Sequence, residues 1–124
     1  MPNTPINRAS GEHYIWGDHC DGWHLVKDPE LSVIQELMPA GTAEVLHFHQ
    51  RAQQFFFILS GEAFMEVDGN EIELKTGDGI HIRPGVRHQI RNSSRQPVEF
   101  LVVSHPPSHG DRVVVDGTNV PQEK

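Results

Sequence analysis

The stretch GTAEVLHFHQRAQQFFFILSG, residues 41–61, places two histidines one residue apart and follows them with the most apolar run of the chain. In a β-strand, residues i and i+2 face the same way, so His47 and His49 point together while Phe48 points to the opposite side. The two imidazoles then stand about 6 to 7 Å apart along the strand, close enough to bind one ion at metal–nitrogen distances of about 2.0 to 2.1 Å. The stretch therefore predicts half of a metal site.

Residues outside the histidine pair can complete this site. After a turn through residues 50–52 the chain returns antiparallel and brings Gln54 close to the pair. A third imidazole is available from His88, which begins a predicted strand after the rigid turn formed by residues 83–85. The alternation of that strand aligns His88 with Ile90 and Asn92.

Size, charge and cysteine content limit the kind of protein this is. With 124 residues and a mass of 14.0 kDa, the chain is predicted to form a single domain, residues 1–124. The formal net charge of −7 argues against nucleic acid or an anionic membrane surface as a partner. Because Cys20 is the only cysteine, an intrachain disulfide and a cysteine-rich zinc site are excluded, and a metal must be held by nitrogen and oxygen ligands.

Segments that would direct the chain to a membrane are not evident in the sequence. Residues 1–13 lack the basic start and apolar stretch of a signal peptide, and the longest apolar run, residues 55–59, is too short to span a bilayer. We therefore expect a cytoplasmic protein without a membrane partner.

The pattern of turns and apolar residues predicts an all-β chain. Eleven glycines and nine prolines punctuate short segments, and no window shows a sustained helical repeat. We expect a closed barrel core at about residues 24–104, with a polar N-terminal arm at 1–12 and a tail at 106–124 that contains a short strand at 113–115. The predicted core strands are 24–27, 31–38, 43–49, 54–59, 62–67, 71–74, 79–82, 88–92 and 98–104.

The run at residues 55–59 is apolar on both faces of its strand. Phe55, Phe57 and Leu59 lie on one face, whereas Phe56 and Ile58 share the other with Gln54. One face is predicted to line the barrel interior. The other needs a cover, either an N-terminal strand of the same chain or a partner subunit, and we favour a homodimer.

Two long motifs resemble those of the cupin superfamily. Residues 41–61 match its first motif, which is glycine, five residues, His-x-His, three or four residues, glutamate, six residues and glycine, except that Gln54 takes the glutamate position. GDGIHIRPGVRHQIRN, residues 77–92, resembles the second motif, with Arg83 at the usual proline position and Pro84 one place later. The motifs and their 15-residue spacer cover residues 41–92, about 52 of the 124 residues.

This resemblance implies a fold and a ligand set. The fold would be a double-stranded β-helix, or jelly-roll β-barrel, with a metal inside its mouth. His47, His49 and His88 match the three histidine ligands, and Gln54 takes the place of the acidic one. Such ligands suit one divalent transition metal ion, which could be Zn, Ni, Fe, Mn or Co. Because an amide leaves the charge of the ion uncompensated, the site should be a stronger Lewis acid than one with a carboxylate.

Several further residues are candidates for work on a substrate. Glu36 shares a face with Ile34 and Met38 and is a candidate general base, and His81 is a second candidate for a catalytic group. The remaining candidates are predicted to contact substrate, the two arginines through paired hydrogen bonds to a carboxylate and the aromatic residues through their rings: Arg83, Arg87, Phe56 and Trp16.

Three functions are compatible with these features. The leading hypothesis is an enzyme whose metal acts as a Lewis acid on the carbonyl or carboxylate of a small polar substrate, in an isomerase or lyase reaction. The alternatives are an Fe(II)-dependent dioxygenase and a non-catalytic module that binds or senses a small ligand. The three-histidine-plus-glutamine pattern also resembles the small cupins that open the ring of unsaturated uronic acids. Those enzymes are expected to carry an aspartate and an arginine near the tail; here Val102 and Ser104 lie on the strand, and Asp111 and Arg112 follow only after HPPSHG, residues 105–110, which argues against that activity.

Overall fold

The computed structural model describes residues 4–115, which form twelve β-strands. All described regular structure is strand, which confirms the predicted all-β class. The strands are β1 Glu12–Trp16, β2 Cys20–Lys27, β3 Ser32–Met38, β4 Thr42–Ala43, β5 His47–His49, β6 Gln53–Ser60, β7 Glu62–Val67, β8 Asn70–Lys75, β9 Gly79–Ile82, β10 His88–Asn92, β11 Val98–His105 and β12 Arg112–Val114.

The strands form two antiparallel sheets, as expected for a double-stranded β-helix. The first sheet has the order β1-β2-β3-β11-β6-β9 and the second the order β12-β5-β10-β7-β8, with β4 paired to β10. Neighbours in the sheets are often distant in sequence, so the register of each strand depends on the whole chain. The predicted ligands lie on both sheets, with β5 and β10 in the second and β6 in the first.

Strict alternation of burial shows which side chains face the interior. In β3 every second residue from Ser32 to Met38 is buried, and β11 repeats this pattern from Val98 to Ser104. The inward side chains of both sheets meet in one apolar core, which includes Met38, Phe56, Ile58, Met65, Ile90, Val98, Phe100 and Val102.

A tight turn at Gly61 joins β6 to β7 and thereby links the two sheets. Gly61 has a φ of +84°, a backbone conformation that a side chain strains. A Cβ atom there would also lie 2.7 Å from the carbonyl oxygen of Pro97. Both constraints explain why the first motif ends in glycine at this position.

The boundaries of several predicted strands are correct, and others need correction. The strands at 62–67, 79–82 and 88–92 have the predicted bounds. The predicted core of residues 24–104 is too short, because β1 and the first half of β2 precede it and β12 follows it within the predicted tail. These segments pair with strands far away in sequence, which a local pattern does not reveal.

The predicted strand at 43–49 is broken into β4 and β5. Between them the chain leaves strand geometry, so alternation no longer tells which way a side chain points. A continuous strand would direct Glu44 to the side opposite His47, but Glu44 is only 4 % exposed, and its carboxylate accepts a hydrogen bond from the backbone N–H of Ile90 at 3.2 Å.

The outer face of the first sheet keeps its apolar side chains accessible. Phe55 is 41 % exposed and Leu59 is 38 % exposed, with Phe57 half-buried between them. The idea that an N-terminal strand of the same chain covers this face is wrong, because β1 extends the edge of the sheet by pairing with β2. Residues 4–115 contain no helix that is long and apolar enough to cross a membrane.

Candidate metal centre

Neighbouring strands of the second sheet bring the three predicted histidines together. β5 carries His47 and His49 on one face, and β10 places His88 directly opposite His47 in the antiparallel register. The ring centroids of His47 and His88 are 4.4 Å apart, those of His47 and His49 5.0 Å and those of His49 and His88 5.9 Å. One ring nitrogen from each residue lies within 4.8 Å of the other two, as convergence on a single ion requires.

Backbone carbonyl groups fix the orientation of two of these rings. The Nδ1 atom of His47 lies 2.8 Å from the carbonyl oxygen of Val45, and Nδ1 of His88 lies 2.9 Å from that of Val86. Since a carbonyl can only accept, each Nδ1 carries the proton, and each Nε2 presents a lone pair to the cluster. This arrangement is typical of histidines that bind a metal through Nε2.

Burial keeps the three imidazoles neutral. It lowers the pKa of His47 to about 2, with smaller contributions from the nearby His88 and Arg112. The pKa values of His49 and His88 are lowered to about 4, again mainly by burial. At neutral pH all three rings therefore have lone pairs available to a metal, and binding need not displace protons from them.

Gln54 faces the same cluster from β6. Its amide nitrogen donates a hydrogen bond to Oγ of Ser104 at 3.0 Å, and its Oε1 atom lies 3.2 Å from Nε2 of His88. Because Nδ1 of His88 holds the ring proton, Nε2 of His88 and Oε1 of Gln54 are both hydrogen-bond acceptors. The two atoms therefore form no hydrogen bond with each other. Two ligands bound at about 2.1 Å and separated by about 90° to 110° would be about 3.0 to 3.4 Å apart, which matches the observed spacing.

The donor set fits a divalent transition metal ion. Nε2 of His47 and both ring nitrogens of His49 are buried and have no hydrogen-bond partner in the described part of the chain. A bound cation between the rings would satisfy lone pairs that are otherwise costly to bury. Three imidazole nitrogens and one amide oxygen suit Mn, Fe, Co, Ni and Zn, and they do not select among these metals.

Asp111 fixes the turn that joins the ligand strands β5 and β6. Its carboxylate accepts hydrogen bonds from the backbone N–H groups of Gln50, Arg51 and Ala52, at distances of 2.8 to 3.2 Å. This turn separates His49 from Gln54, so its shape sets the distance between two candidate ligands. Sequence reasoning assigned Asp111 to a tail and missed this role, because only the pairing of β12 with β5 brings it here.

A buried arginine lies beside the histidine cluster. Arg112 is 2 % exposed, and one of its terminal nitrogens is 3.4 Å from Nδ1 of His47. Burial lowers its pKa to about 10, although the negative charge of Glu36 acts in the opposite direction. The guanidinium therefore remains positively charged at neutral pH, and it joins the last described strand electrostatically to β3.

Glu36 points into the barrel, as its alternation with Ile34 and Met38 predicted. It is fully buried, and the hydroxyl group of Tyr14 donates a hydrogen bond to its carboxylate at 3.1 Å. Tyr14 lies on β1, a strand that the sequence pattern did not predict. Glu36 is thus held between Tyr14 and the charge of Arg112 inside the barrel.

The predicted aromatic substrate contacts belong to the core. Phe56 is fully buried, with its ring centroid 5.8 Å from that of His88 in an edge-on arrangement. Trp16 is 7 % exposed and packs in the apolar core, while its indole N–H donates to the carbonyl oxygen of Asp21 at 3.1 Å. Phe56 supports a ligand ring, and neither residue forms an open wall for a substrate.

The other predicted residues lie on the surface. His81 is exposed on the outer face of β9, opposite Phe55, and its Nε2 atom lies 2.8 Å from the side-chain oxygen of Gln53. The structure therefore does not bring His81 to the histidine cluster. Arg83 and Arg87 are also exposed and do not join the histidine cluster. The alternation that directs His88 inward directs Arg87 outward.

A cavity of about 200 Å³ lies between the inner face of β2 and β3 and the loop that precedes β12. Ser32, at its wall, is the strand partner of Ser104, which is itself the partner of Gln54. At a strand spacing of about 4.8 Å, this places the cavity wall about 10 Å from Gln54. The lining residues are His24, Lys27, Asp28, Ser32, Ile34, Pro107, Ser108 and His109.

More than half of the chain matches the model of a known family. A family model described as "Cupin domain" matches residues 33–104, a range that includes all four candidate ligands. The chain belongs to the cupin family. The jelly-roll fold and the family resemblance predicted from the two motifs are thereby confirmed for this cupin.

Curated relatives of this cupin include proteins with different names. It is 32% identical to an uncharacterized protein of Methanocaldococcus jannaschii over 94 residues, which is 75% of each chain. It is 32% identical to the oxalate-binding protein of Thermotoga maritima over 66 residues, 53% of this chain and 54% of that one. It is 33% identical to quercetin 2,3-dioxygenase of Bacillus subtilis over 67 residues, 54% of this chain and 20% of that enzyme.

Solved structures agree with the fold. The structure of KdgF from Halomonas sp. superimposes on this cupin with a TM-score of 0.77, over 85% of this chain and 94% of that one, at 14% sequence identity. At such low identity the likeness concerns the fold alone.

Proposed function

We propose that this cupin binds one divalent transition metal through His47, His49, His88 and Gln54, and is an enzyme that acts on a small polar carbonyl or carboxylate compound. The observation that carries the proposal is the convergence of three buried, neutral imidazoles whose lone pairs face a common centre. Bound there, the ion would supply Lewis-acid polarisation of a substrate oxygen, as expected for isomerase or lyase chemistry.

The ligand set favours substrates that carry negative charge. All four ligands are neutral, because the imidazoles are uncharged and Gln54 replaces a carboxylate. The charge of Arg112 adds to the positive potential, and Glu36 offsets part of it. A carboxylate or enolate oxygen would therefore be attracted to this site more strongly than a neutral group.

The residues around the centre have separate parts in this proposal. We infer that substrate approaches through the cavity between β3 and the loop before β12, where His24 and His109 offer polar contacts and Ile34 an apolar one. For proton transfer we propose Glu36, which is a buried carboxylate inside the barrel. The hydrogen bond from Tyr14 holds this carboxylate in one orientation.

A second candidate function is an Fe(II)-dependent dioxygenase. It is supported by the 33% identity to a quercetin 2,3-dioxygenase, and three imidazole ligands are compatible with iron. That match covers only a fifth of the dioxygenase. The neutral donor set also stabilises a higher oxidation state of iron less than a set with a carboxylate would, and for this reason we place the Lewis-acid function first.

A third candidate is a non-catalytic module that binds a small anion. The oxalate-binding relative supports it, since the name of that protein describes binding only. A metal held by neutral ligands is compatible with oxalate as a ligand, and the module would then retain the anion without converting it.

The deciding experiment begins with protein purified without a histidine tag. Elemental analysis gives the bound metal, and anaerobic reconstitution with Zn, Ni, Fe, Mn or Co in turn is followed by assays of oxygen uptake and of turnover over a panel of hydroxy, keto and uronic acids. Metal-dependent turnover without oxygen uptake supports the leading proposal. Oxygen uptake with Fe(II) alone favours the dioxygenase, and tight oxalate binding without turnover of any compound favours the binding module. Failure to bind any of these metals contradicts all three.

We also propose that the protein forms a homodimer through the outer face of the first sheet. Phe55 and Phe57 stack there with ring centroids 6.3 Å apart, and β11 adds the half-buried Leu101 and Val103 beside them. A continuous apolar surface of this kind is stabilised when a second copy covers it. The cytoplasmic location remains a prediction from the sequence.

A further inference from the structure

Gln54 and Ser104 form a buried pair beside the metal centre. They are direct partners in the register of β6 and β11, and each is only 1 % exposed. The amide nitrogen of Gln54 donates to Oγ of Ser104 at 3.0 Å. Neither sequence motif includes Ser104, which lies twelve residues after the end of the second motif.

The side-chain amide of Gln54 has two chemically different ends, and only one of them binds a cation. Its carbonyl oxygen carries lone pairs, whereas its NH₂ group only donates hydrogen bonds. If the amide were reversed, the NH₂ group would donate to Nε2 of His88. That contact would block one histidine lone pair and also direct the amide oxygen away from the metal, so two ligands would be lost together.

The orientation that serves metal binding needs an acceptor for the NH₂ group. The amide is buried, and an N–H group without an acceptor is costly in such a place. Ser104 supplies this acceptor on the side of the amide that faces away from His88. A serine hydroxyl suits the task because its oxygen can accept from the amide while its own proton turns elsewhere.

We propose that Ser104 is the positioning residue that turns the carbonyl oxygen of Gln54 toward the metal. The inference rests on the proposed metal site and goes beyond it. It states that Ser104, a residue outside both motifs, determines which end of the Gln54 amide faces the ion. Ser104 does not touch the metal in this arrangement. Its effect on metal binding passes entirely through Gln54.

The test is a titration with Co²⁺, followed by visible absorption, which reports both affinity and coordination. In Ser104→Ala the affinity should fall about tenfold, which corresponds to about 1.4 kcal/mol, and the spectrum should change toward that of Gln54→Ala. Ser104→Thr keeps the hydroxyl and should restore both quantities. Ser104→Cys keeps the volume with a weak acceptor, and it should resemble the alanine variant.

Two further variants separate positioning from general damage. Ser60 lies at the end of β6 remote from Gln54, so Ser60→Ala should leave affinity and spectrum unchanged. In a Gln54→Ala background, the additional change Ser104→Ala should have no further effect on Co²⁺ affinity. An equal loss in both backgrounds would overturn the inference, as would a Ser104→Ala protein with the affinity and spectrum of the wild type.

The same experiment distinguishes the two proposals. If the wild-type protein binds neither Co²⁺ nor any of Zn, Ni, Fe and Mn, the proposed function and the inference both fail. If the wild type binds Co²⁺ and the Gln54 and Ser104 variants act independently, the inference alone fails and the metal site stands.

Discussion

His47 on β5 lies directly opposite His88 on β10, with their ring centroids 4.4 Å apart. Forty residues of chain separate them, yet antiparallel pairing makes them closer than the two histidines of the His-x-His motif, whose centroids are 5.0 Å apart. Each of the two rings is oriented by the carbonyl group two residues before it. The register between β5 and β10 is therefore what brings these two candidate metal ligands together.

Loss of one ligand should abolish tight metal binding. In His49→Ala we expect the affinity for Zn²⁺ or Co²⁺ to fall by more than about a hundredfold, because even residues that only support metal ligands contribute about tenfold to a hundredfold. Isothermal titration calorimetry measures the change. His81→Ala removes an exposed histidine from the outer face and serves as the matched control. A comparable loss in the control would show that the metal binds elsewhere.

Replacing Gln54 by the glutamate of the first motif should raise metal affinity and lower the stability of the metal-free protein. We expect Gln54→Glu to bind divalent metals more tightly, because a carboxylate adds a negative charge to the ligand set. Without metal the same variant should have a lower Tm than the wild type, since the carboxylate would be buried at a site that is 1 % exposed. Thermal unfolding with and without Zn²⁺ checks both effects. A variant that gains no additional stabilisation from Zn²⁺ would contradict the assignment of Gln54 as a ligand.

The buried histidines should make the metal-free protein sensitive to acid. Burial lowers the pKa of His49 and His88 to about 4, and that of His47 further, whereas the unfolded chain titrates near 6.5. Below about pH 6.5 the unfolded state takes up protons that the native state does not, so the free energy of unfolding falls by up to about 1.4 kcal/mol per pH unit for each histidine until about pH 4. Urea unfolding at several pH values measures this slope.

A variant without one titrating ring isolates this contribution from that of the carboxylates. His49→Gln keeps a polar side chain of similar length. Between pH 6.5 and 4 the free energy of unfolding of this variant should fall less steeply with decreasing pH, by up to the contribution of one histidine. If the free energy of unfolding depends on pH equally in the variant and the wild type, His49 is not a buried, neutral group in the native state.

The turn between the ligand strands should depend on Asp111. Its carboxylate accepts three backbone N–H groups, and we expect Asp111→Ala to lower the free energy of unfolding by about 2 to 4 kcal/mol. Metal affinity should also fall, because the turn sets the separation of His49 and Gln54. Chemical denaturation and metal titration measure the two effects. Within residues 4–115 the Asp28 carboxylate accepts one backbone N–H, in an exposed turn, so Asp28→Ala should change stability by less than about 0.5 kcal/mol.

The outer face of the first sheet should hold two subunits together. A charged side chain in an apolar interface is costly, so Phe55→Asp should convert the dimer to a monomer. Sedimentation velocity reports the mass directly. Ile72, which is 37 % exposed on the other sheet, provides the control, and Ile72→Asp should remain dimeric. A wild-type protein that sediments as a monomer would contradict the proposed dimer.

The candidate ligands were predictable because their information is local. The His-x-His spacing places His47 and His49 on one face of a strand, and the turn before His88 starts the next ligand strand in the correct phase. Alternation also puts Phe56 and Ile58 on the same face as Gln54, and all three side chains are buried. Within a regular strand, alternation alone tells which side chains face inward.

The parts that could not be predicted depend on pairing between distant segments. The short strand predicted at 113–115 forms one residue earlier, but its partner strand was not predictable, and Asp111 and Arg112 reach the histidine cluster only because β12 pairs with β5. Tyr14 contacts Glu36 because β1 extends the first sheet. Alternation also failed for Glu44, because the chain between β4 and β5 is not a strand.

The pairing of β12 with β5 has a consequence for the order in which the protein matures during synthesis. All four candidate ligands have been translated once residue 88 is made, but the carboxylate that holds their turn and the arginine beside them follow more than twenty residues later. A nascent chain that has just passed residue 88 therefore has the ligands without their support. We therefore expect selective metal uptake only after β12 has been synthesised and has paired with β5.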